Sequence, residues 1–390
     1  MKGMVTSNRG YYTGFNAHLK LLPSDDSGVR NDKLSSCKAL DGLPTFARVP
    51  ISVESISFLT NFWPESLLGD DVNLYRFGFN TADDFIKVDF EVPYFVNDVR
   101  SLIGDLNGLL GAVMKDGEIL ITQVSQNDQN LSLTRCSMLH RSLTHDTVTN
   151  IRADAVAIAG NDEVCIASTT ISKDMDPTYA LNMFSSFAAF REGSKPTSVY
   201  ILPSAVLSLT AGATAFVSLL EDHSVWTMGS ALQPALLART PTPETPAHRP
   251  CQIDALGGLF ITKIGMCEWL GAALSEDRDM YIWGGRAGET KRVGALPGLD
   301  EEVSLVNIDG GVDIADFALG MGHVAVLTVT GKVWVCGENE YGQLGLGEAD
   351  KPFVGAWTKT EGPWGDEKRV AVEAGGWGTW VLTEDAILKG

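Results

Sequence analysis

The sequence predicts an all-β chain: a seven-bladed β-propeller of four-stranded antiparallel blades, closed by pairing of its N- and C-terminal strands. Three observations carry that expectation. An aromatic residue stands three positions before a glycine at Tyr11–Gly14, Tyr75–Gly78, Trp226–Gly229, Tyr281–Gly284 and Trp334–Gly337. The last three copies recur roughly 54 residues apart, and a near-constant period of that size marks one supersecondary unit repeated. Forty of the 390 residues are glycine and only 20% are charged, which suits short strands and tight turns better than surface helices.

Taken in chain order, the units share one grammar of apolar strand, turn and second strand. Residues 10–14 are a strand that lacks its natural partner nearby. A hairpin follows at 56–59 and 73–78, with Asp70 and Asp71 between. Residues 110–114 and 119–121 flank Asp116-Gly117, and 156–159 and 164–166 flank Asn161-Asp162. The next hairpins turn at Glu221-Asp222, at Glu276-Asp277 and at Thr330-Gly331. Asp and Gly are the residues expected to supply the positive φ angles of such turns. The run 379–382 then ends without a partner, so it is expected to pair with 10–14 and remove two exposed sheet edges.

The whole chain, 1–390, reads as a single domain with long inter-strand loops at about 23–50, 123–150, 170–196, 231–250, 285–304 and 345–370. Binding specificity is expected on them. The net charge of −19 disfavours a broad nucleic-acid face. Six cysteines form no Cys-x-x-Cys pair and read as free thiols in a reducing compartment. The first residues have no apolar core of signal-peptide kind, and no run of about 18 apolar residues occurs. A cytoplasmic or nuclear location is the expectation, and the sequon at Asn130 is read as without meaning there.

No phosphate loop, dinucleotide fingerprint or Gly-x-Ser-x-Gly elbow occurs, so no catalytic residue, metal or cofactor is expected. His140 and His145 read as solvated loop rather than metal ligands. His323 is expected either to bond a neighbouring blade's backbone or to line a partner-binding face. Trp226, Tyr281, Trp334, Tyr75 and Tyr11 read as packing between blades. Trp377 and Trp380 stand three apart, so one should be core and the other an exposed anchor. Trp357 and Trp364 fall in a long loop and are candidate partner contacts. Acidic Glu361, Asp366 and Glu367, with Asp300, Glu301 and Glu302, would attract a basic partner.

The fullest copy of the unit is residues 320–328 (GMGHVAVLT) continuing through 331–347 (GKVWVCGENEYGQLGLG). It resembles, almost position for position, one repeat of the regulator-of-chromosome-condensation family. Gly322, Trp334, Gly337, Asn339, Gly342, Gln343, Leu344 and Gly345 carry the likeness, and Gly14-Phe15-Asn16 and Gly78-Phe79-Asn80 look like shortened copies. The resemblance implies a seven-bladed propeller and no activity by itself. The founding member is an exchange factor for the Ran GTPase whose chromatin contact uses a basic tail and patch, and this chain shows neither. The plant ultraviolet-B photoreceptor branch carries Gly-Trp-Arg-His-Thr, and the nearest segment here, Gly376-Trp377-Gly378-Thr379-Trp380, has glycine in place of the arginine. The segments at Gly10-Tyr11 and 375–382 look most like the fungal alpha-tubulin suppressor-like branch, partners of a small zinc protein in diphthamide synthesis and Elongator-dependent transfer-RNA modification. Some animal members are adaptors for a chromatin-modifying oxygenase.

The reading that follows is a non-enzymatic, monomeric propeller that captures a protein with a basic or aromatic-accepting surface. Guanine-nucleotide exchange on a Ran-type GTPase and a chromatin-associated adaptor are the alternatives.

Overall fold

The computed structural model describes residues 8–15, 42–48, 58–61, 65–69, 74–78, 86–90, 96–105, 108–124, 131–136, 150–173, 175–285, 303–347 and 351–384. Two compact units emerge. One comprises Met1–Lys87, Gly294–Pro297 and Asn307–Gly390; the other comprises Val88–Val293 and Gly298–Val306. Residues 23–41 of the loop expected at 23–50, 286–302 of that expected at 285–304, the histidines His140 and His145, and Asp300, Glu301 and Glu302 lie outside the described residues, whereas 42–48 and 131–135 are strands inside the loops expected at 23–50 and 123–150.

The first unit opens with β1 (Asn8–Phe15) and β2 (Gly42–Arg48), then β3 (Phe58–Asn61), β4 (Glu65–Gly69) and β5 (Leu74–Gly78) as an antiparallel meander. Strand β6 (Ile86–Phe90) leads into the second unit. There β7 (Val99–Asp105), β8 (Gly108–Met114), β9 (Ile119–Val124) and β10 (Leu131–Arg135) pair in sequence, and the end of β6 runs parallel to β10 at Asp89 and Ser132.

Three four-stranded antiparallel sheets follow in that unit. They are β11 (Asn150–Ile158), β12 (Val164–Ser172), β13 (Met175–Phe184) and β14 (Ser198–Leu202); β15 (Val206–Ala211), β16 (Ala215–Leu220), β17 (Val225–Gly229) and β18 (Cys251–Gln252); and β19 (Ile261–Cys267), β20 (Leu270–Ser275), β21 (Met280–Gly284) and β22 (Ser304–Leu305). Back in the first unit come β23 (Ile314–Leu319), β24 (His323–Thr328), β25 (Val333–Glu338) and β26 (Phe353–Thr360), then β27 (Lys368–Gly375) and β28 (Gly378–Glu384). The expected pairing of N- and C-terminal strands is present. The last sheet runs β2-β1-β28-β27, with Tyr11 opposite Val381.

Strands β16, β20 and β24 are buried at every position, and the two faces of β16 pack against the β11 and β19 sheets of its own unit. Shared cores fill the gaps. Val217, Leu219, Ile264, Met266 and Trp283 pack between the β15 and β19 sheets, and Ala325, Val335, Leu344 and Val372 between the β23 and β27 sheets. Each fully buried Val, Leu or Ile contributes about 1.5–3 kcal/mol.

The glycine of the aromatic–glycine signature has a steric cause. Gly337 and Gly284 take φ of 116° and 125°. A Cβ on them would stand 2.2 Å from the Gly322 carbonyl oxygen and 2.1 Å from that of Trp269. No side chain fits where the strand crosses so close to the preceding turn. Of the aromatics, Tyr281 and Trp226 pack partly buried against the cores beside them.

Four expectations are corrected. The turns at 221–222 and 276–277 place the left-handed residue one position later, at His223 and Arg278. The acids there cap instead: Asp222 Oδ1 accepts Ser224 N at 3.1 Å, as Asp116 Oδ1 accepts Glu118 N at 3.0 Å. The expected hairpin of 56–59 with 73–78 does not form, because β4 stands between β3 and β5 and pairs with both. The 156–166 hairpin joins the first two strands of its sheet, β11 and β12. Its Gly160 N donates to Gly212 O in the β15–β16 turn, as Ala213 N donates to Glu268 O in the β19–β20 turn. The expected loop 170–196 contains β13 and a helix, α1 (Phe187–Glu192), which Ser186 caps through Ala189 N. Pro177 is tolerated in β13 because it sits at a register shift and beyond the reach of β14. The expected loop 345–370 contains β26, and Trp357 lies on that strand.

Candidate functional site

A candidate site of two stacked aromatic rings grows from the connection between β25 and β26. After Glu338 the chain folds back through a turn in which Gly342 N donates to Asn339 O and Gly345 N to Gly342 O. Asn339 is buried and pins both ends: its Oδ1 accepts Leu344 N at 3.0 Å and its Nδ2 donates to Lys351 O at 3.1 Å. Gln343, also buried, accepts Tyr341 N on Oε1 at 3.0 Å. Its Nε2 is buried with no hydrogen-bond partner among the described residues. Leu344 fills the core beneath, and Thr360 Oγ1 holds Gly345 O at 2.9 Å.

That turn presents Tyr341 to Trp377, which sits in the β27–β28 turn. The rings stack with centroids 4.6 Å apart and planes at 25°, and both are half-buried. Met321 N donates to Gly376 O at 2.9 Å and fixes the β23–β24 turn beside them. Glu340 is exposed next to Tyr341 and Glu338 half-exposed. The outer faces of such a ring pair attract cations, arginine above all, and the two carboxylates reinforce that attraction.

Beneath the platform runs a buried chain of hydrogen bonds. Thr379 Oγ1 donates to Gln343 O at 2.7 Å and lies 3.0 Å from His323 Nε2. The hydroxyl has one proton, already given to Gln343, so His323 must donate from Nε2. Burial holds the His323 pKa down at about 4, opposed more weakly by the Met321 and Gly378 carbonyl oxygens, which would favour the protonated ring. The ring is therefore neutral near pH 7. The ring bonds the Thr379 side chain on β28 rather than the backbone of that neighbouring sheet.

The other expected site residues divide. Trp364 is buried at 6% exposure, because the loop folds over it and Gly362 lies flat on its ring. Trp380 is wholly buried, and Trp377 is the exposed member of that pair. Trp357 is half-buried on β26. Glu361 is exposed and paired with Lys359, Asp366 is exposed, and Glu367 accepts Thr383 Oγ1 at 2.6 Å. Glu367 precedes β27 and Trp377 follows it, so eight residues of strand, roughly 25 Å, separate the acidic run from the aromatic platform. The structure does not bring them together. The sequence argument missed Tyr341 as a surface residue, although the Tyr-Gly-Gln-Leu-Gly run contains it.

Other groups with chemical promise are occupied. Asp154 is a buried carboxylate, but Arg100 Nη1 and Arg152 Nη2 each reach it at 2.9 Å and Thr169 Oγ1 at 2.5 Å. It joins the β7 and β11 sheets. Burial pushes the Cys165 and Cys336 thiols up, away from nucleophilic character. Among the described residues no cluster of His, Cys, Asp or Glu fits a metal, and no helix is long and apolar enough to cross a membrane.

Comparison with known proteins matches residues 314–343 to the model of the regulator of chromosome condensation (RCC1) repeat, from β23 to Gln343. The human E3 ubiquitin-protein ligase HERC2 is 31% identical over 113 residues, 27% of this chain and 2% of that protein. The Arabidopsis thaliana ultraviolet-B receptor UVR8 is 30% identical over 190 residues, 48% of this chain and 41% of the receptor. The chain thus spans less than half the length of each of these relatives. Among solved structures, Prp20p of Saccharomyces cerevisiae superposes with a TM-score of 0.64 at 12% identity, covering 97% of this chain and 92% of that one. That likeness shows a shared fold.

Proposed function

We infer that this chain, which carries an RCC1 repeat on an RCC1-type propeller fold, is a non-catalytic module that captures another protein on the Tyr341–Trp377 platform. One observation carries the reading. Two large aromatic rings are stacked and half-buried, above a buried hydrogen-bond network of Gln343, Thr379 and His323. Rigid aromatics lose little entropy on binding and are favoured anchors at interfaces. The acidic neighbours and the net charge of −19 favour a basic partner segment. In this reading the scaffold is a monomeric, seven-bladed closed ring, working in the cytoplasm or nucleus; the β1–β28 pairing supports the closure.

A finer form makes the partner a small zinc protein of diphthamide synthesis and wobble-uridine modification, supported only by the likeness of segment 375–382 to the alpha-tubulin suppressor-like branch. A second reading is nucleotide exchange on a Ran-type GTPase, favoured by the fold shared with Prp20p, a protein described as binding Gsp1p and histones.

The test compares affinity purification from the native source with the wild-type chain and with Trp377→Ser. A partner recovered by the first should fall about tenfold with the second, the effect of removing one anchor, while the thermal midpoint barely moves. Equal recovery by both rules the platform out. Stimulated nucleotide release from a Ran-type GTPase by catalytic amounts of protein would move the assignment to exchange.

A further inference from the structure

Three Thr-Pro dipeptides, Thr240-Pro241, Thr242-Pro243 and Thr245-Pro246, crowd the connection between β17 and β18. We propose that Thr242 is a phosphorylation site for a proline-directed serine/threonine kinase, and that the phosphate unlocks the 240–249 loop.

Exposure selects Thr242 from the three. Thr240 is exposed as well, but its Pro241 is half-buried, and Thr245 and Pro246 are both half-buried; only at Thr242-Pro243 are threonine and proline exposed together, with exposed Glu244 after them. Proline at the next position restricts Thr242 to an extended backbone and presents no N–H that a kinase pocket would have to satisfy.

The Thr242 hydroxyl is also the hub of the loop. Its Oγ1 accepts Thr245 N at 3.1 Å and stands 3.0 Å from both Glu244 Oε2 and Thr245 Oγ1. The carboxylate can only accept, so the hydroxyl proton goes to Glu244. One turn away the Arg239 guanidinium fastens the loop through the carbonyl oxygens of Thr245 at 2.8 Å, Pro246 at 3.2 Å and Arg249 at 2.9 Å.

In the transfer, Thr242 Oγ1 forms a bond to the γ-phosphorus of ATP. The bond from that phosphorus to the β,γ-bridging oxygen breaks, ADP leaves, and the hydroxyl proton passes to a base of the kinase. The product carries a charge of about −1.5 to −2 where a donor stood. It repels Glu244 and competes with three carbonyls for Arg239, because charge-assisted bonds to phosphate are the stronger.

The test incubates the folded full chain with a cyclin-dependent kinase and MgATP, and maps phosphate by mass spectrometry. One phosphate on Thr242 is expected. Incorporation should be lost in Thr242→Ala, fall about tenfold in Pro243→Ala, a loss typical of one missing recognition contact, and survive in Thr242→Ser. Circular dichroism would verify that all variants fold. Tryptic cleavage after Arg239 should quicken about fivefold on phosphorylation, because proteolysis follows the open population. Phosphate on Thr240 or Thr245 instead, or incorporation only after the chain is unfolded, overturns the site. An unchanged cleavage rate overturns the switch.

Discussion

The connection between third and fourth strands is built in two ways. Between β25 and β26, buried amides do the work: Asn339 and Gln343 bond backbone of that same connection, two to twelve residues away. Between β17 and β18, one cation does it. Arg239 reaches the carbonyl oxygens of Thr227, Thr245, Pro246 and Arg249, and Trp283 Nε1 holds Leu236 O at 3.1 Å from the next sheet. Both loops bury leucine beneath them, Leu344 in one and Leu236 and Leu237 in the other. An amide turn demands particular residues at fixed spacing and so writes a motif. A guanidinium gathers main-chain oxygens, ignores the side chains attached to them, and writes none.

The contrast can be broken by acid first. The unfolded His323 titrates near 6.5 and the folded one near 4, so between those values the unfolded chain binds the extra proton. The stability it contributes is complete above about pH 6.5 and is lost as pH falls toward 4, to a limit of roughly 3 kcal/mol. Urea midpoints across that range should fall for the wild type and flatten in His323→Gln. Arg239 stays charged throughout, so tryptic access to the 240–249 loop should show no matching change above pH 5. The next effect is Arg239→Met, which strips the loop of its charged donor and should cost about 2–3 kcal/mol. Tryptophan fluorescence during denaturation reads it. Asn339→Ala should cost the least, about 1–2 kcal/mol, and Asn339→Asp should recover the part owed to Leu344 N, as thermal scans of the two variants would show.

The same contrast explains what could be read from the letters. Trp334-x-x-Gly337 and Tyr281-x-x-Gly284 were legible because a backbone collision enforces glycine, and the terminal pairing followed from two strands left without partners. Strand β13 was illegible. Met175–Phe184 mixes Pro177, Asn182 and exposed positions, since only part of it pairs on both sides. Trp364 misled because position within a loop says nothing about whether the loop folds over its own side chain. The Tyr341–Trp377 pair joins residues 36 positions apart in separate turns, a proximity that only the register of β27 against β28 and the Met321–Gly376 bond create.

One detail of the turns reaches further. Gly160 to Gly212, Ala213 to Glu268 and Met321 to Gly376 are joined through peptide groups alone. Within each unit these turn-to-turn bonds are made by main chain, and side-chain bonds such as Thr210 Oγ1 to Met266 O and His323 to Thr379 add to them. Ala213, Met321 and Trp377 are therefore at liberty to change with whatever must be recognised, and the lacing would hold through each change of vocabulary.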